Sequence, residues 1–163
     1  MADYILERRV WLPRPRSEIF EFFADPHNLT RVQPRWARPR WVQEPPPRLA
    51  AGAVLDFRVP ALPGVWRMMV REFDPPHRFV DAQLRGPFAR WEHRHRFLEG
   101  VSAEEPGPPG TWVEDRVTYR MPLGPLGRAV HALAAGRSIR RLFEYRDRRL
   151  QELFAPGRAR PSA

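Results

Sequence analysis

The chain has 163 residues, a formal charge of +9 and no cysteine, which excludes a disulfide framework and thiol chemistry. All 28 of its basic residues are arginine, and a basic balance is the footprint of a nucleic-acid or acidic-surface binder. The arginines run along the whole chain beside 20 prolines, with no aromatic-interleaved basic strand, so biased composition accounts for them and nucleic acid is not the expected partner. The length and the lack of a linker predict one domain over residues 1–155 and a disordered tail over 156–163. The first residues lack the pattern of a secretory signal, and no apolar run approaches the ~20 residues of a membrane span, so a cytoplasmic location is expected.

In chain order, Tyr4 to Leu12 alternates loosely and predicts a strand, which Pro13 and Pro15 end. Ser17 to Ala24 predicts a short helix dense in apolar residues (Ile19, Phe20, Phe22, Phe23), stopped at Asp25-Pro26. Asn28 to Trp36 predicts a second, with Leu29, Val32 and Trp36 at helical spacing. Arg40 to Glu44, Ala53 to Val59 and Val65 to Phe73 follow as strands, each closed by proline-rich turns. After a loop from Pro122 to Gly127, helical spacing returns and continues to Phe154 through Val130, Leu133, Arg137, Leu142, Arg146, Leu150 and Leu153. At about 1.5 Å per residue that helix reaches across a whole sheet, and Gly136 offers a place to bend.

Between the strands and that helix lies the most patterned stretch. Phe79-x-Asp81-x-Gln83, Trp91-x-His93-x-His95-x-Phe97 and Thr111-x-Val113-x-Asp115-x-Val117-x-Tyr119 each repeat at a spacing of two, with turn formers between them. They predict a three-stranded antiparallel meander. Closing the second hairpin around Gly100 to Gly110 sets Phe97 opposite Val113, His95 opposite Asp115, His93 opposite Val117 and Trp91 opposite Tyr119. Closing the first around Leu84 to Arg90 sets Gln83 opposite Trp91 and Asp81 opposite His93. Opposed residues have Cβ atoms roughly 4.5–5.5 Å apart, so both hairpins place a carboxylate beside an imidazole. A slip of one residue separates them.

The order is therefore strand, two short helices, a run of strands and a long C-terminal helix. The chain resembles the START-related, birch-pollen-allergen-like helix-grip superfamily, also labelled SRPBCC or polyketide cyclase/dehydrase-like. The residues carrying the resemblance are Pro15-x-Ser17-x-Ile19-Phe20 with Phe23, Asp25-Pro26-x-Asn28-Leu29, the Phe79-to-Phe97 run with Gly86-Pro87-Phe88, Asp115-x-Val117-x-Tyr119-x-x-Pro122, and Phe143-x-Tyr145-Arg146. It implies an α+β helix-grip fold: a strongly curved antiparallel sheet of six to seven strands wrapped around the long C-terminal helix, with two short helices after the first strand. It also implies a hydrophobic pocket for a lipid, polyketide or aromatic molecule, and no cofactor.

Read from the residues, the period-two face turned inward lines a cavity with Phe79, Trp91, Phe97, Val113, Val117 and Tyr119, and sets Asp81, Gln83, His93, His95 and Asp115 among them as its few polar groups. The opposite face of the first meander strand, Val80, Ala82 and Leu84, is the more apolar one; either the faces are inverted or, the reading preferred because buried polar groups need partners and these have them, the polar set is inward and these three cover another surface or a partner, such as a homodimer. Three roles stand open for the His–Asp pairs. They can fix strand register as buried pairs. Asp115 can orient His95 as a general acid or base, with Tyr119 donating to an oxyanion. His93 and His95 can ligate a metal with one carboxylate, although no metal is the expectation. His27, His77 and His131 stand apart from the cluster as solvent-facing or capping residues, and Trp36 and Trp41 read as core or interface or as the rim of a pocket mouth. Arg137, Arg140 and Arg141 read as a solvated helix face, with Arg137, on the sheet-facing stripe, the alternative partner of an acidic head group or of Asp81. The function expected is binding of a small hydrophobic molecule between sheet and helix; the alternative is a cyclase or dehydratase using His95 and Asp115.

Overall fold

The computed structural model describes residues 3–102 and 109–156. Seven strands form one antiparallel sheet: β1 (Tyr4–Leu12), β2 (Arg40–Trp41), β3 (Val54–Arg58), β4 (Trp66–Asp74), β5 (Arg78–Arg85), β6 (Arg90–Gly100) and β7 (Gly110–Arg120). Their order is β1-β7-β6-β5-β4-β3-β2, so the first strand closes against the last and the rest follow as a meander. β6 shows why the sequence folds this way. Trp91, His93, His95 and Phe97 are buried while Arg90, Arg94 and Arg96 are exposed, a clean period of two. Register irregularities between β4 and β5, at Arg67/Met68 and Val70/Glu72, bend that part of the sheet.

The registers predicted for the meander are present except at its first turn, where the β5–β6 ladder ends at Ala82 and Glu92, short of the Gln83–Trp91 pair. Trp91 pairs with Tyr119, His93 with Val117, His95 with Asp115 and Phe97 with Val113, and Asp81 pairs with His93. At the first turn Gln83 closes the hairpin on the backbone of Phe88, with Nε2 donating to its carbonyl at 2.6 Å. A Cβ at Gly86 would lie 2.4 Å from Gln83 Oε1 and 2.7 Å from Trp66 Cδ1, so a side chain there would push the Gln83 amide off its hairpin bonds.

The helices depart from expectation in instructive ways. α1 (Arg16–Ala24) buries Ile19, Phe20 and Phe22. The predicted second helix is broken instead into a 3₁₀ turn (Pro26–Asn28), one turn of helix α2 (Leu29–Val32) and another 3₁₀ turn (Arg35–Ala37). Pro34 forces Gln33 into extended backbone and cuts it. Helix α3 (Gly124–Val130) starts inside the segment predicted as loop, where Leu123 and Gly124 turn the chain with positive φ. A π turn (His131–Ala135) joins it to α4 (Gly136–Leu153). Gly136 follows the π turn directly as the first residue of α4. It leaves room for the His131 ring, whose Nε2 would lie 2.8 Å from a Cβ at that position.

The core sits between the concave face of the sheet, α1 and α4. Phe20, Phe97, Phe143, Phe154, Leu12 and Leu150 have essentially no exposed surface, and each such side chain contributes about 1.5–3 kcal/mol by burial. On the convex face Val80 and Ala82 are also covered, leaving Leu84 as the exposed member of that trio; the predicted apolar dimer face thus offers only one of its three residues. No helix of the described residues is long and apolar enough to cross a membrane. The predicted disordered tail falls, beyond Pro156, outside the described residues.

Candidate functional site

The concave sheet and α4 do not pack flush. Between them lies a cavity of about 510 Å³. Phe57, Trp66, Met68 and Val70 of β3 and β4 form one wall, Phe23, Leu29 and Val32 of the N-terminal helices another. Ala134, Ile139 and Phe143 form the third, and the half-exposed Trp36 lies at the rim. Charged groups on this wall are few, and four of them converge: Asp81, His93, His95 and Arg146. Asp25 is a fifth, held on the far side by the backbone N–H and ring of His27.

Asp115 sits behind the convergence and organises it. It is buried, and its Oδ1 lies 3.0 Å from His93 Nε2, 2.8 Å from His95 Nδ1 and 3.6 Å from Arg146 Nη2. The other nitrogen of His95 faces Asp81 Oδ2 at 3.3 Å. With a carboxylate near each nitrogen, bonded to Asp81 through Nε2 and paired with Asp115 through Nδ1, the ring sits where its doubly protonated form is favoured. Arg146 Nη2 also approaches His95 Nδ1 at 3.4 Å, but that nitrogen is spent on the shorter contact, and the guanidinium acts on the carboxylate. The Phe79 ring stacks on His95 at 4.1 Å, while Phe23 and Phe143 flank the guanidinium.

The electrostatics follow from this arrangement. Burial resists charge on His95, but Asp115 and then Asp81 outweigh it and raise its pKa above the ordinary imidazole value. His93 goes the other way. Its burial, added to the positive charge of His95 3.8 Å away, lowers its pKa to about 4, so it stays neutral. Burial alone would raise Asp115, yet Arg146, His95 and His93 together hold it well below the usual carboxylate range. Two carboxylates thus face one guanidinium and an imidazole whose charged form they favour.

Of the residues predicted for the site, Phe79, Asp81, Trp91, His93 and His95 lie on the cavity wall. Phe97, Val113 and Val117 are packed in the core, and Gln83 is committed to its hairpin. Tyr119 is also off the wall. Its hydroxyl meets His131 Nε2 at 2.8 Å, and the His131 ring stacks on Tyr4 at 3.5 Å, so His131 is neither solvent-facing nor a cap. Arg137 is exposed, and the arginine that reaches the cluster is Arg146. Helix geometry explains the exchange. Arg137 and Arg146 stand nine residues apart within α4, which at 3.6 residues per turn sets them on opposite faces, and Ile139, Phe143, Arg146 and Leu150 share the buried one. Three buried atoms of wall residues have no hydrogen-bond partner: Arg146 Nε, Trp66 Nε1 and Gln33 Oε1. Asp81, His93 and His95 also offer ligand atoms within 4.8 Å of one another, a grouping that could hold a metal ion; a cation there would have to expel the His95 proton and sit beside Arg146.

Comparison with known proteins agrees with this architecture. The family model described as "Polyketide cyclase / dehydrase and lipid transport" matches residues 12–143. A nucleoside-diphosphate sugar epimerase from Corynebacterium glutamicum is similar over 90% of this chain at 23% identity and a TM-score of 0.65, though this chain spans only 28% of it. A point mutant of norcoclaurine synthase from Thalictrum flavum, in complex with a transition-state analogue, is similar at 10% identity and a TM-score of 0.61, covering 93% of this chain and 96% of that one. A protein from Thermus thermophilus is similar at 19% identity and a TM-score of 0.62, covering 93% and 98%. Likenesses at these identities speak for the fold. No curated protein matches the chain.

Proposed function

The chain belongs to the polyketide cyclase / dehydrase and lipid transport family, and from that premise we propose that it binds a small hydrophobic molecule, a lipid, polyketide or aromatic compound, in the cavity between the sheet and α4. One observation carries the reading: a cavity of about 510 Å³ with apolar walls and its charges gathered mainly at one place. That is the make-up of a small-molecule site, in which apolar surface supplies affinity and a few polar atoms supply orientation. Trp66 and Trp91 lie on the wall and give a direct reporter. An apolar aromatic probe should change their fluorescence saturably, and native mass spectrometry of freshly purified protein should show a bound organic mass. Ser138→Trp, which fills the cavity from an exposed wall position, should weaken the probe at least ten-fold without unfolding the chain. An equal affinity in that variant places the probe elsewhere and overturns the reading.

A second reading, a cyclase- or dehydratase-type enzyme, is favoured by the His95 proton facing Asp81 at the cavity surface with Asp115 behind the ring. That is the arrangement of an oriented acid–base group. In this reading His95 is the proton carrier and Asp115 its positioning residue, whereas Tyr119, bonded to His131 away from the wall, does not reach the ligand. His95→Asn should abolish turnover of a candidate carbonyl substrate and leave binding nearly unchanged; loss of binding alone removes the catalytic role.

A further inference from the structure

The charge balance of the buried cluster restricts what can lie against it. Asp81 and Asp115 already take up the cationic groups present, Arg146 and the His95 ring, through one chain of contacts. Asp115 is sealed behind the wall, while Asp81, with its side chain 20% exposed, is the carboxylate that an arriving molecule meets. Among the described residues the one side-chain hydrogen bond of Asp81 comes from His95 to Oδ2, so Oδ1 is available to a donor. On the same cavity wall, Arg146 Nε has no hydrogen-bond partner.

Resting on the cavity as a ligand site, we propose that the ligand presents to Asp81 an uncharged group that both donates and accepts a hydrogen bond, a phenolic or alcoholic hydroxyl, and not a carboxylate. A hydroxyl can donate to Asp81 and accept from the neighbouring cationic side without disturbing the balance. An anion brings a third negative charge into a low-dielectric site whose cations are already taken, and it must carry a proton in with it. The unpartnered Trp66 Nε1 and Gln33 Oε1 extend the same preference: a plain hydrocarbon leaves them orphaned, and an oxygenated molecule does not.

The experiment compares 2-naphthol with 2-naphthoate at pH 6, by tryptophan fluorescence and by calorimetry in two buffers of different ionisation enthalpy. The wild-type protein should bind the naphthol at least ten-fold more tightly and without proton exchange, and the naphthoate only with uptake of about one proton. Asp81→Asn removes one negative charge while keeping the shape, and the preference should collapse or invert. Naphthoate binding as tightly as naphthol without proton uptake overturns the proposal while the ligand site stands, as does a preference unchanged in Asp81→Asn. Should that variant fail to fold, the proton count on the wild-type protein decides alone. Binding of neither compound overturns the ligand-site reading and this inference with it.

Discussion

Two histidines in this chain sit between two carboxylates each, and they illustrate what burial does to the same chemistry. His27 meets Asp25 and Glu44, both at 2.9 Å, with its side chain 45% exposed. His95 meets Asp115 at 2.8 Å and Asp81 at 3.3 Å, with its side chain 5% exposed. Both rings have raised pKa values, His27 through its bond to Glu44 and then Asp25, His95 because Asp115 and Asp81 outweigh its burial. At the surface, water and salt absorb the extra negative charge. Inside, the fold must supply a counter-charge, and Arg146 is that group. The same triad is an ornament in one place and an obligation in the other.

The strongest way to break the contrast is to remove Asp115. Asp115→Ala leaves the His95 imidazolium and the Arg146 guanidinium facing each other without their shared anion, a loss of about 3–5 kcal/mol by the usual cost of an orphaned buried charge. Urea unfolding reads it directly. Asp115→Asn, which keeps the shape and one acceptor, should cost visibly less. A cost for Asp115→Ala below about 1 kcal/mol, the range of exposed pairs, erases the distinction between the two triads.

pH sharpens it from another side. His93 has a folded pKa of about 4 against an ordinary value of 6.5. As pH falls from 6.5 toward 4 the unfolded chain takes up a proton that the folded chain refuses, so stability drops, by at most about 3 kcal/mol. Asp115, held well below the carboxylate range, stays ionised through that window. His95 behaves oppositely. Its raised pKa makes its contribution complete below 6.5 and lost as pH rises through the folded value. In chemical unfolding across pH 4–8, the wild-type protein should lose stability at the acid end and His93→Asn should lose much less. His95→Asn should flatten the alkaline side. An acid limb identical in wild type and His93→Asn contradicts a buried neutral ring at position 93.

The meander was legible because a strand has a period of two and its hairpins have short, marked turns. Once Gly86-Pro87 and the Gly100 to Gly110 loop were placed, the pairs His95–Asp115 and Asp81–His93 followed. The diagonal contact from His95 to Asp81, and the sharing of Asp115 by both rings, depend on side-chain rotamers that spacing does not carry. Arg146 was hidden for a different reason. It stood on the predicted helical stripe, but so did Arg137, because that stripe took a five-residue step from Arg137 to Leu142. Nine residues of one regular helix separate the two arginines, so they fall on opposite faces, and strict 3.6-residue spacing counted back from Leu150 would have kept Arg146 and dropped Arg137. The wall built by α1 and α2 escaped for the plainest reason: aromatic stripes such as Phe22 and Phe23 read as core, and the chain uses them both as core and as cavity lining.

The smallest expected effect belongs to the exposed triad. His27→Ala removes two hydrogen-bonded ion pairs, yet both are wet, screened by salt, and opposed by the cost of holding Glu44 in place, whose side chain is 84% exposed. The loss should be about 0.5 kcal/mol or less at physiological salt, and should shrink further in 1 M salt, where the Debye length falls to about 3 Å. Asp25 would survive the change, since it still accepts from the backbone N–H of residue 27 and from Asn28 Nδ2. A cost for His27→Ala comparable with that of Asp115→Ala, and insensitive to salt, means that the mouth of the cavity is as tightly organised as its floor. In that event burial is not what separates the two histidines, and Asp25 belongs with Asp81 among the groups that position a ligand.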